Sequence, residues 1–260
     1  MIFTWWRRRR RRKILSQPFP AEWEPHLARH VPAADLLTED ERERLRRKTQ
    51  IFVAEKYWEG CNGLTITDEI RVTIAAQACL LVLGFEEEIF NRLLTVLVYP
   101  EDYFADEISH QPGGVVVEGK SWRLGEAWHG GPVILSWPRV LEGGHDPHDG
   151  ENVVLHEFAH VLDMQDHGVD GTPPLESPEQ YRTWKQVMTA EYQRLVRHAD
   201  RGRHTLLDQY GTKNEAEFFA VSTEAFFEQP VELQMRHPEL YGVLCSFYRQ
   251  DPAARLSQDA

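Results

Sequence analysis

The run from Val153 to Asp163 constrains this chain most, because it places four ionisable side chains in an otherwise apolar segment. It reads Val-Val-Leu-His-Glu-Phe-Ala-His-Val-Leu-Asp, and apolar residues on nearly every side predict a helix that is buried in the core. A buried polar group is costly unless it is paired or binds a metal. The narrow stripe formed by His156, Glu157 and His160 therefore predicts a functional site, in preference to a His-Glu face at the surface.

The spacing of the two histidines predicts a metal chelate. Helical residues four apart have Cβ atoms about 5–6 Å apart, so His156 and His160 can both reach one ion at the roughly 2.0–2.1 Å that zinc requires. Glu157 lies about one-third of a turn from His156, where it can hydrogen-bond a water molecule beside the metal. This carboxylate is the predicted general base.

A catalytic zinc ion usually has three protein ligands, so one more ligand is expected elsewhere in the chain. Residues 210–220 read Tyr-Gly-Thr-Lys-Asn-Glu-Ala-Glu-Phe-Phe-Ala and predict a second helix. Thr212 and Glu215 match a capping box, which would occupy Glu215 at the helix start. Glu217 falls on the next turn among apolar residues, where a ligand role would offset the cost of burying its carboxylate.

Together, the His-Glu-x-x-His and Tyr-x-x-x-x-x-x-Glu-Phe-Phe-Ala runs resemble the gluzincin peptidases of the Mlc titration factor A family. The resemblance covers most of the chain, and the two motifs are also similar to the catalytic domain of a bacterial lethal factor. It implies a zincin-like domain that binds one zinc ion (Zn²⁺) per chain. The positions that match the family's functional residues are the metal ligands His156, His160 and Glu217, the catalytic Glu157 and the active-site Tyr210.

The resemblance implies a zinc-dependent peptidase with aminopeptidase-like activity on peptide substrates. Relatives also bind the glucose-responsive transcription repressor Mlc, so a repressor of this kind is a second expected partner. The alternative is a non-catalytic protein that sequesters the repressor and uses the metal site structurally or as a modulator. The presence of Glu157 favours the enzyme, because a purely structural zinc site needs no base and is usually closed by four protein ligands.

Several further side chains are candidates for a place near the metal. His110 could be a fourth ligand or a gate, or an ordinary loop histidine. Asp163 follows His160 on the same helical face and could orient a ligand imidazole. Glu224 lies seven residues beyond Glu217 and could do the same, with exposure at the surface as the alternative. Other histidines near the motif, in Gly/Asp-rich loops, are expected to be solvated: His145, His148 and His167.

The order of predicted elements indicates an α+β zincin-like domain, with a small mixed sheet, an active-site helix and a helical C-terminal half. Strands are predicted at 94–99, 115–117 and 132–137, and the last begins with a proline that suits an edge strand. Helices are predicted at 38–60, 68–83, 152–164, 178–199, 213–228 and 237–249. We expect one metallopeptidase domain over residues 38–260, preceded by a basic, poorly ordered arm over residues 1–37.

Composition limits the other functional classes. A net charge of −12 argues against general nucleic-acid binding. Three scattered cysteines are typical of reduced thiols in a cytoplasmic protein. No apolar run reaches the roughly 18–20 residues of a membrane span. Residues 7–12 are all arginine, and this run is expected to be a solvated tail, with contact to anionic lipid or nucleic acid as the alternative.

Overall fold

The structure is a computed structural model that describes residues 2–86, 89–101, 105–110, 116–121, 131–146, 148–166 and 168–256. For residues 2–4, 105–110, 116–121 and 166 it describes the backbone alone. The described helices are α1 (Ile2–Ile14), α2 (Glu24–His30), α3 (Glu39–Glu55), α4 (Asp68–Leu81), α5 (Trp137–His145), α6 (Val153–Asp163), α7 (Pro178–Ala199), α8 (Glu215–Glu228), α9 (Pro230–Arg236), α10 (Pro238–Tyr248) and α11 (Pro252–Leu256). The described strands are β1 (Tyr57–Gly60), β2 (Thr95–Tyr99), β3 (Ala105–His110), β4 (Val116–Ser121) and β5 (Val133–Ser136).

Three strands form a parallel sheet in the order β1, β2, β5. In its register, Leu97 of β2 lies opposite Glu59 of β1 and Ile134 of β5. α4 supplies the crossover between β1 and β2, because parallel neighbours cannot be joined by a tight turn. β3 and β4 pair antiparallel in a separate ribbon. The prediction of one mixed sheet is therefore wrong for the described residues, where parallel and antiparallel strands belong to different sheets.

Strand β1 replaces the last turn of the first predicted helix. That helix was expected to reach Gly60, but α3 ends at Glu55 and the chain continues as a strand. Tyr57 and Trp58 are aromatic residues that favour extended backbone. Gly60 marks a close approach of two chain segments, since a Cβ atom there would lie 1.9 Å from the carbonyl oxygen of Leu64.

The start of α3 is confirmed by its capping box. The Thr38 hydroxyl accepts a hydrogen bond from the Glu41 backbone N–H at 3.3 Å, and the Glu41 carboxylate accepts one from the Thr38 N–H at 3.0 Å. The helices predicted after residue 152 are also confirmed, as α6, α7, α8 and α10. Two further short helices, α9 and α11, each begin with a proline and were not predicted.

Helix α6 lies at the centre of the core, where it packs against α4, α5, α8 and β5. Phe158 is fully buried, and its ring contacts those of Phe52 and Phe90 at centroid distances of 5.6 and 5.0 Å. Leu155 and Leu162 are also buried. These apolar contacts fix the helix that carries the His-Glu-x-x-His motif.

Strand β5 lies at an edge of the described three-stranded sheet, as Pro132 at the start of the predicted strand indicated. It runs from Val133 to Ser136, and α5 follows at once with Pro138 in its first turn. Proline suits the first turn of a helix because its missing N–H would have no intrahelical partner there. β5 also contacts α6 directly, so the strand edge lies close to the motif helix.

The segment before Thr38 contains helices α1 and α2, whereas a poorly ordered arm was expected. Leu27 and Val31 from this segment are buried in the same hydrophobic cluster as α4 and α6. The amphipathic run of α2 covers only 7 residues, which is too short to stand out as a periodic pattern in the sequence. The division of the chain at Thr38 stays a prediction. None of the described helices has the length and apolar character needed to cross a membrane.

Candidate metal centre

The start of α6 is set by Asn152. Its side-chain oxygen accepts hydrogen bonds from the backbone N–H groups of Val154 and Leu155, each at 3.1 Å, and its amide donates to the Gly143 carbonyl at 3.0 Å. An asparagine in this place satisfies N–H groups that have no intrahelical partner. The motif helix therefore begins at a fixed point, one turn before its first histidine.

Helix α8 supplies the third predicted ligand and begins at an unexpected cap. Asn214 is the capping residue, and its side-chain oxygen accepts a hydrogen bond from the Glu217 N–H at 2.9 Å. The predicted capping box of Thr212 with Glu215 is wrong, because Thr212 belongs to a 3-10 turn (Gln209–Thr212) and its hydroxyl donates to the Gln209 carbonyl. Glu215 is exposed in the first turn of α8.

The three predicted ligands lie together. One oxygen of Glu217, Oε2, is 3.1 Å from Nε2 of His156 and 3.3 Å from Nε2 of His160. Each of the three side chains offers a ligand atom, and these atoms lie within 4.8 Å of one another. Two imidazole nitrogens and one carboxylate oxygen form a donor set of the kind that catalytic zinc sites use. The cluster could therefore hold a metal ion, and the individual ligand roles stay predictions.

The charges in the cluster favour a cation. Burial alone would lower the pKa of His156, but the charge of Glu224 and the hydrogen bond to Glu217 raise it to about 10. Burial alone would raise the pKa of Glu217, but hydrogen bonds from His156 and His160 lower it to about 2. The carboxylates thus stabilise positive charge on the imidazoles, and a divalent metal can supply that charge in place of the protons.

Glu224 orients the first predicted ligand. It is buried, and its Oε2 lies 2.9 Å from Nδ1 of His156 while its Oε1 accepts a hydrogen bond from the Asn152 N–H at 2.8 Å. From its sequence position, Glu224 was expected either to orient a ligand imidazole or to be exposed at the surface. In the structure it is buried against His156. A carboxylate on the second nitrogen fixes the imidazole tautomer with Nε2 free to bind a metal.

Asp163 has a different place from the one expected. It is fully buried, but its Oδ2 accepts a hydrogen bond from the Gly171 N–H at 2.8 Å, and no hydrogen bond to a ligand imidazole is present among the described residues. Gly171 is pressed against the start of α8, since a Cβ atom there would lie 2.3 Å from the Glu215 carbonyl oxygen. Asp163 therefore ties the loop after α6 to the helix that carries Glu217.

The predicted base and the predicted tyrosine flank the cluster. Glu157 is 2% exposed, and burial raises its pKa to about 7 although the charges of His156 and His160 act in the opposite direction. Tyr210 lies in the 3-10 turn before α8, with its ring centroid 5.9 Å from that of His156. The ammonium group of Lys213 lies 3.7 Å from the Tyr210 ring centroid, a contact that sequence reasoning missed.

The remaining candidate histidines do not join the described cluster. The backbone of His110 lies in β3, and its side chain is outside the described part. His145 and His148 are exposed, as expected, but His145 ends helix α5 and is not in a loop. His167 lies outside the described residues.

A Glu224→Gln variant should bind zinc about 10- to 100-fold more weakly than the native protein, the usual cost of losing an outer partner of a ligand histidine. The amide keeps the size of the side chain but removes the charge that supports His156. Competition with a fluorescent zinc chelator measures the change. Glu232→Gln, at an exposed position on α9, is the matched control. Equal zinc affinity in both variants would contradict the orienting role.

Comparison with known proteins agrees with this geometry. A family model described as glucose-regulated metallo-peptidase M90 matches residues 3–249. Mlc titration factor A of Yersinia pestis is 31% identical over 243 residues, which cover 92% of this chain and 87% of the relative. An uncharacterized protein of Synechocystis is 39% identical over 248 residues, which cover 95% of this chain and 90% of the relative. The chain belongs to the glucose-regulated metallopeptidase M90 family.

Proposed function

We propose that the protein is a zinc-dependent peptidase with one zinc ion per chain. The observation that carries the proposal is the convergence of His156, His160 and Glu217 on one point. Glu157 is buried beside them, between the two histidines on α6. Family membership supports a metallopeptidase. A pKa near 7 for Glu157 supports its role as the base, because an efficient general base has a pKa close to the working pH.

The reaction needs two proton transfers, and one carboxylate can perform both. His156, His160 and Glu217 would hold the zinc ion, which would supply Lewis acidity toward the peptide carbonyl and a water molecule. Glu157 takes a proton from the attacking water and returns it to the leaving amine as the C–N bond breaks. Tyr210 donates a hydrogen bond to the oxyanion that develops on the carbonyl oxygen.

Acidic residues beside the centre support aminopeptidase-like cleavage. A cavity of about 960 Å³ adjoins His156 and Tyr210, and its lining carries an acidic excess over two arginines, Arg29 and Arg139. Six carboxylates line it: Glu142, Asp146, Asp149, Glu151, Asp208 and Glu224. Burial and the charges of Asp208, Asp149 and Glu224 raise the pKa of Glu151, although Arg139 acts in the opposite direction. Acidic charge therefore dominates around Glu151. The free amino group of a peptide carries the complementary charge. In the described part of the sheet β5 is an edge strand, and an extended substrate would pair with it in the antiparallel sense.

A regulatory role is the second candidate function. The name Mlc titration factor A indicates that this relative acts on the repressor Mlc, so we propose a transcription repressor of that kind as a partner and the cytoplasm as the location. The alternative to an enzyme remains a repressor-sequestering protein whose metal is structural or modulatory. An unpartnered, buried oxygen of Glu157 among the described residues supports the enzyme, because a purely structural site would have no use for this costly group.

Zinc removal tests the proposed reaction. Dialysis against a chelator should abolish hydrolysis of a mixed peptide library, and added zinc should restore it, because the carbonyl then regains its Lewis acid. Mass spectrometry of the products should show residues lost one at a time from free N-termini.

An N-acetylated copy of the same library is the control for the aminopeptidase assignment. It should be spared, since acetylation removes the charge that the acidic cavity would bind. Internal cuts in acetylated peptides would contradict the aminopeptidase assignment alone. No hydrolysis of either library by zinc-loaded protein would contradict the peptidase and favour the binding protein.

A further inference from the structure

Helix α1 carries a dense block of positive charge on an acidic protein. Residues 7–12 are arginine and residue 13 is lysine, and residues 1–21 contain no acidic side chain. The chain as a whole has a net charge of −12. Like charges in one block repel one another, so this arrangement opposes folding unless an anion neutralises it.

The block is held in place on the domain. Arg11 forms an ion pair with Glu55 of α3 at 2.6 Å. The buried amide of Gln50, also on α3, donates to the carbonyl groups of Ile14 and Gln17 at 3.3 and 3.2 Å. These contacts fix the C-terminal end of α1 against α3. The solvated tail expected from the sequence is thus a helix with a defined orientation.

Although α1 is packed against α3, most of its guanidinium groups are exposed to solvent. Arg7, Arg8, Arg9 and Arg12 are exposed, and among the described residues the ion pairs of α1 are confined to Arg11. A groove of about 990 Å³ runs between α1 and α3, and α3 adds basic side chains to it: Arg44, Arg47 and Lys48. Seven basic side chains line this groove in all, against three carboxylates: Asp40, Glu43 and Glu86. The groove therefore keeps a positive excess that suits an anionic partner.

Two exposed tryptophans stand beside this charge. Trp5 and Trp6 are 50% and 60% exposed, and their rings contact each other edge to face with centroids 5.3 Å apart. The guanidinium group of Arg9 lies 5.5 Å from the Trp5 ring centroid. Tryptophan rings favour the boundary between lipid headgroups and acyl chains, and arginine favours the phosphates just outside it. The two tryptophans and the arginines thus match two adjoining layers of a lipid bilayer, the headgroup boundary and the phosphates.

We propose that α1 docks on bilayers that contain anionic lipids through exposed side chains around its N-terminal half: Trp5, Trp6, Arg7, Arg8, Arg9 and Arg12. Both tryptophans would enter the headgroup region while the arginines bind lipid phosphates. A DNA duplex is the weaker match, because its phosphates would bind the arginines but would offer the two exposed tryptophans no apolar layer. This docking is independent of the proposed peptidase chemistry.

Cosedimentation of the full chain with vesicles tests the proposal. Vesicles made from equal parts of phosphatidylcholine and phosphatidylglycerol should bind the protein, and pure phosphatidylcholine vesicles should not. Changing Arg7, Arg8, Arg9 and Arg12 to glutamine should lower the partition constant by roughly 100-fold or more, since each basic residue near an anionic surface contributes about fivefold. A Trp5→Ser/Trp6→Ser variant should lose the blue shift of tryptophan fluorescence that vesicles induce in the native protein.

The matched control removes the same charge from a distant exposed region, through glutamine at Arg182, Arg197, Arg201 and Arg203 on α7 and the turn after it. Its binding should stay within about twofold of native, because screening limits a charge to its own neighbourhood. Circular dichroism and zinc content verify that each variant is folded. Failure of the native protein to bind anionic vesicles, or equal loss in both quadruple variants, would overturn the proposal. Tighter binding to a DNA duplex than to vesicles at the same salt concentration would assign the surface to nucleic acid instead.

Discussion

Replacing Glu157 with glutamine should lower peptide hydrolysis about 10⁴-fold while the protein keeps its fold and its zinc. This value is the upper end for general acid–base catalysis, since the same carboxylate would serve in both proton transfers. An amide cannot accept the proton of the attacking water. Turnover of a peptide substrate by zinc-loaded protein, with zinc content measured on the same samples, gives the result.

The loss of activity in Tyr210→Phe can be compared with the loss in Glu157→Gln. Removing one donor to a developing oxyanion typically costs about 10²- to 10³-fold in turnover, so Glu157→Gln should be the more damaging change. Hydrolysis that survives Glu157→Gln with zinc in place would rule out the proposed mechanism. The repressor-binding interpretation would then take precedence, because neither substitution is expected to alter a separate binding surface.

Glu217→Ala should lower zinc affinity by roughly 10²- to 10³-fold, since a structural zinc site owes about 10–16 kcal/mol to four ligands and each therefore contributes about 2.5–4 kcal/mol. His160→Ala should cause a loss of similar size. Both variants should lose hydrolysis together with the metal. Zinc content after dialysis, and the free zinc concentration needed to restore activity, measure the effect.

Glu215→Ala is the matched control for Glu217→Ala, because it removes a carboxylate two residues away on the same helix. Glu215 is exposed, and Asn214 caps the helix without it. Zinc affinity should therefore stay native in this variant. Loss of zinc from Glu215→Ala and full retention in Glu217→Ala would show that the ligand glutamate is the wrong one of the pair.

The helices of the site could be predicted because each carries a strong local signal. The apolar run around His156 and the Glu-Phe-Phe-Ala run after Glu217 have the periodicity of buried helices, and α6 and α8 follow them. Because they are four residues apart, His156 and His160 could be predicted to lie on one face of the helix. What joins Glu217 to them is the packing of α6 on α8. The sequence indicated this only indirectly, through the apolar neighbours of Glu217 and the family resemblance.

The remaining differences depend on contacts between distant segments. Strand β1 was missed because Gly60 signals a helix end as well as a close approach to Leu64. The cap of α8 was placed at Thr212 because Thr and Asn both accept such hydrogen bonds, and the 3-10 turn at Tyr210 decided for Asn214. Sequence patterns report the tendency of one segment to form a helix. Where α3 ends and where α8 begins depends on the segments that pack against them.

We expect the two hydrogen bonds of Glu224 to couple metal loading to folding. This one carboxylate holds both the backbone start of α6 and the imidazole of His156, across 68 residues of chain. In an unfolded chain His156 and His160 remain neighbours, but Glu217 and Glu224 are brought to them only by the docking of α8. Free zinc should therefore shift the population toward chains in which these helices are docked, by mass action. A substitution in the α6–α8 contact can weaken zinc binding without touching a ligand, so the metal content of a variant reports the integrity of its core.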